Sequence, residues 1–211
     1  MADLILALDV TKREDAEKIA KACAPHIDAI KVGYPLALGA GLSIGRELSA
    51  FGLPLIADFK VADIPNTNTL ITEQVFAAGF SAIICQGFPG TDSVRACVQE
   101  AHRNGGECYV VAEMSHPGAK EFFSSGVPEQ IAANAMLARA DGIIAPATRP
   151  DRVKTLRGIV GKKKILAPGI GAQGGDPGVA AIVDGLIVGR AIYEAEDPAG
   201  AARSFAFLRN R

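Results

Sequence analysis

The sequence predicts an eight-stranded parallel (β/α)₈ barrel, and three observations carry that expectation. Short β-rich apolar runs recur about eight times along 211 residues, each is followed by a helix-like segment, and the runs are apolar throughout rather than alternating. Strand–helix alternation implies parallel pairing through crossover helices. Strands with no polar face are buried on both sides. About eight such units in a chain of this length fit a closed barrel, with a doubly wound open sheet as the alternative arrangement.

The runs are LILALDV, AIKVGY, PLIADFK, AIICQGF, CYVVAEM, DGIIAPA, KILAPGI and GLIVGR. Between them lie REDAEKIAKACA, TLITEQVFAAG, DSVRACVQEAHRNG, EQIAANAMLARA and RPDRVKTLRGIVG. Their apolar residues recur at three- and four-residue spacing, and they often close on glycine, as helices do. No linker, low-complexity tract or charge block divides the chain, so residues 1–211 read as a single catalytic domain.

Composition narrows the function. Apolar residues make up 49%, ample for one sizeable core, and the net charge of −1 argues against a nucleic-acid binder. Cys23, Cys85, Cys97 and Cys108 form no CxxC and lie among apolar neighbours, so they read as buried free thiols. His26, His102 and His116 are scattered, without metal-ligand spacing. The apolar start of MADLILALDV is too short for a signal-peptide core and reads as the first strand. No run approaches the roughly 20 apolar residues that span a bilayer. The expectation is a soluble, cytoplasmic protein with no metal, no nucleic-acid partner and no membrane attachment.

A barrel should carry its chemistry at the C-terminal ends of its strands. Asp9 ends the first run, Lys31 lies in the second, and Asp58 and Lys60 end the third. Ser115 follows the fifth run, Pro168 and Gly169 to Gly175 close or follow the seventh, and Gly189 and Arg190 end the eighth. The N-terminal ends are expected to hold no comparable set.

The stretch IADFKVADIPNT concentrates the charge. Residues two apart on a strand share a face, so Asp58 and Lys60 should point inward and Phe59 outward. Lys31, flanked by Ile30 and Val32, should also face in. Asp63 lies in the following loop. Pro65 suits the start of a helix, which Asn66 or Thr67 would cap. Two lysines and two or three aspartates then converge at one end of the barrel. Buried ion networks do close some barrels, but so dense a set points to chemistry. A lysine between carboxylates favours its charged form, which suits a proton donor or a stabiliser of developing negative charge.

The segment LAPGIGAQGGDPG and the following LIVGRAIY place two loops side by side after the seventh and eighth strands. Such loops bind phosphate through backbone N–H groups and a helix N-terminus, and Arg190 adds a bidentate cation. No GxxxxGK[ST] or GxGxxG is present. MSHPGAKEFFSSG and GIGAQGGDPG are long enough, and rich enough in glycine, to close as lids. Gln173 is the long polar side chain at the heart of the second.

ADFKVADIPNT, MSHPG, PGIGAQGGDP and VGRAIY, in that order and across essentially the whole chain, resemble the short microbial orotidine 5′-monophosphate decarboxylases. The DxKxxD and VGRAI elements alone are also similar to 3-keto-L-gulonate 6-phosphate decarboxylase and hexulose phosphate synthase, which depend on Mg²⁺. IPNT and the two lid motifs separate this sequence from those relatives. The resemblance implies cofactor-independent conversion of orotidine 5′-monophosphate to uridine 5′-monophosphate (UMP) by a homodimer. By resemblance, Lys60 is the proton donor and Asp58 sits beside the leaving carboxylate. Lys31 holds Asp58 and contacts the ribose, while Asp9 binds a ribose hydroxyl. Asp63 and Thr67 reach into the partner subunit's site. Ser115 reads the pyrimidine amide edge, Gln173 bridges pyrimidine and phosphate, and Arg190, beside Gly189, holds the phosphate.

Overall fold

The structure, a computed structural model, describes residues 2–170 and 177–209. Eight parallel strands close in sequence order into a barrel, the first pairing with both the second and the last. They are β1 (Asp3–Leu8), β2 (Ala29–Gly33), β3 (Leu55–Val61), β4 (Ala82–Gln86), β5 (Glu107–Val111), β6 (Gly142–Ile144), β7 (Lys164–Pro168) and β8 (Gly185–Val188). Each coincides with one of the apolar runs, and the closed order excludes the open-sheet alternative.

Helices α1 (Arg13–Cys23), α2 (Tyr34–Ala40), α3 (Ile44–Ser49), α4 (Pro65–Ala77), α5 (Thr91–Arg103), α6 (Val127–Leu137), α7 (Pro150–Val160), α8 (Arg190–Tyr193) and α9 (Pro198–Ser204) connect the strands or follow the last. The short α2 and α3 were not among the helix-like patterns, because YPLALGAGLSIG breaks their periodicity with glycine. All four cysteines are buried free thiols, as expected. Among the described residues, no helix is long and apolar enough to cross a membrane.

Two cores follow from the period of two. The outer one fills the space between strands and helices, and the inner one fills the barrel. Strand pairing places the inner side chains in tiers drawn from alternate strands, the arrangement that packs such barrels. Ile5, Ile56, Tyr109 and Leu166 come from the odd strands, next to Ala29, Ala82, Gly142 and Gly185 on the even ones. The next tier comes from the even strands: Lys31, Ile84, Ile144 and Ile187. Ala7, Asp58, Val111 and Pro168 lie above it. Lys31 therefore occupies a position that three isoleucines fill elsewhere in the ring. A buried ammonium there is tolerable only if it is paired.

The N-terminal end of the barrel does hold an ordered polar set, against expectation. Asp28, Ser81, Asp141 and Asp184 each precede an even strand, and each accepts a backbone N–H from the neighbouring odd strand. The donors are Leu4, Leu55, Cys108 and Ile165, at 2.8 to 2.9 Å. The signal is the recurring DAI, SAI, DGI and DGL. These bonds satisfy strand-end donors that would otherwise be orphaned, so this set is structural, and the concentration of chemistry at the other end stands.

Candidate active site

A cavity of about 350 Å³ opens at the C-terminal end of the strands. Its floor is the upper tiers of the inner core: Ala7, Ile84, Val111, Ile144 and Ile187. Its polar wall is formed by Asp9, Lys31, Asp58 and Lys60, and Ser115, Pro168, Gly189 and Arg190 also line it. Eight of the eleven site residues expected from the sequence thus line one cavity; Asp63 and Thr67 do not, and Gln173 lies outside the described residues.

The polar wall is one ion network. The ammonium of Lys31 lies 2.7 Å from Oδ2 of Asp58 and 3.5 Å from Oδ1 of Asp9. Lys60 donates to Oδ1 of Asp58, also at 2.7 Å. Asp58 is therefore held between two ammonium groups. Burial alone would raise its pKa, but Lys31 and Lys60 outweigh this and hold the carboxyl below its usual range. Burial likewise disfavours the Lys31 ammonium, and Asp58 and Asp9 outweigh it, so its pKa is raised. Asp9 is seated by Gly33, where a Cβ would come within 2.5 Å of the Asp9 carboxylate.

These shifts fix the pH range of the network. Asp58 titrates below its usual 3.8 in the fold, so its stabilisation is present above 3.8 and is lost as pH falls through the native value. Lys31 titrates above its usual 10.5, so its contribution is complete below 10.5 and is lost as pH rises through the native value. Asp58→Ala should cost about 3 kcal/mol, because it leaves two ammonium groups facing each other. Denaturant unfolding should give a deficit that is constant from about pH 5 to 9 and shrinks at more acid pH. A deficit independent of pH down to complete protonation of the carboxylates would contradict the ion pairing.

Lys60 reaches the cavity by a route that regular strand geometry does not provide. Along β3, Ala57 pairs with Ile83 and Val61 with Cys85, so four steps on β3 match two on β4. This is a bulge, and Lys60 sits in it with φ 45°. A left-handed conformation costs a non-glycine residue about 1–2 kcal/mol. Phe59 points outward, as expected, stacking on Tyr34 at 5.2 Å with Phe80 edge-on at 5.9 Å. That aromatic anchor fixes the backbone on one side of the bulge while Asp58 and Lys60 face the cavity.

Asp63 and Thr67 do not line this cavity. Asp63 is exposed, and its carboxylate accepts the N–H of Ile64 at 2.7 Å. Pro65 begins α4 as expected, but the capping role expected of Asn66 or Thr67 is not found: Ile64 is the N-cap, with no side-chain cap bond. Asn68 of α4 instead ties down the loop ahead of the helix, accepting the N–H of Asp63 at 3.1 Å while donating to Ser93. Gln173 and residues 171–175 of the glycine-rich loop lie outside the described residues. In the other long loop, Pro117–Glu121 forms a 3₁₀ turn.

The sequence reading passed over Glu113, Met114, His116 and Tyr193, which also line the cavity. Glu113 carried a usable signal: like Asp58, it is a charged residue at the end of a buried strand. Among the described residues, no group of three or more His, Cys, Asp or Glu is arranged to hold a metal ion.

A closed β/α barrel with its ionic machinery at the carboxyl ends of the strands defines a barrel enzyme. Residues 2–205 match the model of the orotidine 5′-phosphate decarboxylase / HUMPS family, and the chain belongs to that family. It is 57% identical over 206 residues to the orotidine 5′-phosphate decarboxylase of Methanosarcina barkeri, covering 96% of this chain and 92% of that one. The orotidine 5′-monophosphate decarboxylase of Methanocaldococcus jannaschii, solved with the inhibitor BMP, superposes with a TM-score of 0.95 at 40% identity over 100% of both chains. The Pyrococcus horikoshii orotidine 5′-phosphate decarboxylase gives 0.88 at 46% identity, over 97% of this chain and 98% of that one.

Proposed function

We propose that the chain, acting as one catalytic domain in the cytoplasm, decarboxylates orotidine 5′-monophosphate to UMP and CO₂, the last step of de novo UMP synthesis. The observation that carries this reading is the Asp58 carboxylate held between the Lys31 and Lys60 ammonium groups, above an apolar floor. Breaking the C6–carboxylate bond releases CO₂ and leaves an electron pair on C6. No cofactor is invoked to accept it. Lys60 opposes that charge as it develops, then transfers a proton to C6 and is reprotonated from water. The apolar floor lowers the local dielectric and strengthens the interaction. Asp58, kept ionised by its two lysines, repels the substrate carboxylate until CO₂ departs. Such destabilisation is contested as a source of rate, so the electrostatic role of Lys60 ranks first.

The remaining roles go to the other polar residues of the cavity lining. Asp9 and Lys31 meet the ribose, Ser115 meets the pyrimidine amide edge with Pro168 beside it, and Gly189 and Arg190 hold the phosphate. Arg190 is exposed, and among the described residues its guanidinium has no ion-pair partner, which favours an anionic ligand. Gln173 bridges pyrimidine and phosphate when the long loops close. Binding energy gained at the phosphate then offsets strain at C6.

The active form in this reading is a homodimer, with Asp63 and Thr67 serving the partner's site. Two observations support it. Asp63 is exposed and does not line the cavity of its own subunit, and the connections after β2, β3 and β4 expose Tyr34, Leu38, Ile64, Leu70 and Phe88. Apolar side chains of this size are typical of an interface core. The function is tested by incubating purified protein with orotidine 5′-monophosphate and, in parallel, with 3-keto-L-gulonate 6-phosphate. Loss of the orotidylate absorbance with formation of UMP supports the reading; conversion of the sugar phosphate alone overturns it.

A further inference from the structure

Outside the lysine–aspartate network, the most heavily paired buried charge beside the cavity is Glu113, just beyond β5. Its side chain is 1% exposed. Oε1 accepts from Arg149 at 2.5 Å and Oε2 from Nε of Arg152 at 2.9 Å. Arg152 continues to Glu129 in the first turn of α6, at 2.7 Å. Arg149 also turns its other terminal nitrogen toward the carbonyls of His116, at 3.3 Å, and Ser115, at 3.5 Å. One guanidinium at the start of α7 thus grips both the end of β5 and the first turn of the loop that carries Ser115.

We infer that Glu113 and Arg149 form a positioning clamp that sets Ser115 and His116 at the cavity wall. The chemistry favours this over a general structural bridge. Both oxygens of Glu113 are committed to guanidinium groups, so it is not poised to act on a ligand in the cavity. The carbonyls that Arg149 reaches belong to the backbone of the loop, and they fix where the Ser115 side chain emerges. Guanidinium has the planar, multi-donor geometry to span a carboxylate and two carbonyls at once, and an ammonium does not. Glu113→Gln presents an amide N–H where Arg149 also donates, so the grip loosens with little change in shape. Arg149→Lys keeps the charge facing Glu113 but gives up the span to the carbonyls.

The inference rests on the reading of Ser115 as a substrate contact, and a double-mutant cycle separates the two. Glu113→Gln, Arg149→Lys, Ser115→Ala and both double combinations with Ser115→Ala are assayed for kcat/KM with orotidine 5′-monophosphate, with folding checked by thermal melts. Each single variant should lower kcat/KM about tenfold, and the clamp substitutions should cost less than about twofold once Ser115 is already alanine. Full additivity would overturn the clamp while leaving Ser115 as a contact. A normal Ser115→Ala would overturn the Ser115 reading and the clamp's purpose with it. Should Glu113→Gln fail to fold, Arg149→Lys carries the same cycle, and normal activity in that variant would also overturn the clamp.

Discussion

Lys60→Ala is expected to lower kcat by a factor on the order of 10⁴ or more, since it removes both a proton donor and a charge placed at the site of the developing carbanion. UMP should still bind within about tenfold of wild type, because an interaction realised only in the transition state leaves product affinity largely intact. The structure adds a second expectation. Alanine retains the Cβ that strains the left-handed backbone at this position, where φ is 45°. Lys60→Gly should therefore be equally inactive yet about 1 kcal/mol more stable than Lys60→Ala. Parallel measurements of single-turnover rates, UMP titration and denaturant unfolding on the two variants check both parts. Substantial residual turnover in either would contradict the role of Lys60.

Equal amounts of Lys60→Ala and Asp63→Ala chains, each inactive alone, should recover activity when they are allowed to form mixed dimers. In a mixed dimer, one site would combine both defects and the other neither. Random pairing makes half of the dimers mixed, so about a quarter of all sites should work. This outcome requires a site built from two chains. If the mixture stays inactive, Asp63 serves its own subunit, and its position outside the cavity needs another explanation. If Asp63→Ala is active by itself, Asp63 is not part of the machinery.

How much of this was legible in the sequence depended on the range of the interaction. The eight strands were readable because burial on both faces leaves continuous apolar runs. Asp9, Lys31, Asp58 and Lys60 were readable because charge at the end of such a run is costly unless it is used. The bulge in β3 was not: an irregularity that keeps the inward and outward alternation leaves no mark on the pattern, and only Lys60's φ and the shifted register betray it. The clamp was missed because Glu113 finds its partners 36 and 39 positions along the chain. The capping expectation failed because Pro65 at the first helical position puts Asn66 and Thr67 inside the helix, and Asn68 was missed because its partners, Asp63 and Ser93, lie outside the helix. The four residues that close the N-terminal end were overlooked because each is a single short polar side chain before an apolar run, ordinary until all four are seen to make the same bond.

The central claim is that protein side chains alone supply the stabilisation needed to break the C6–carboxylate bond. The most direct measurement is turnover of orotidine 5′-monophosphate by the purified protein in excess EDTA, with and without added Mg²⁺, following loss of the substrate's absorbance and formation of UMP. The account predicts the same full rate in both. Turnover that disappears with EDTA and returns with Mg²⁺ would contradict it.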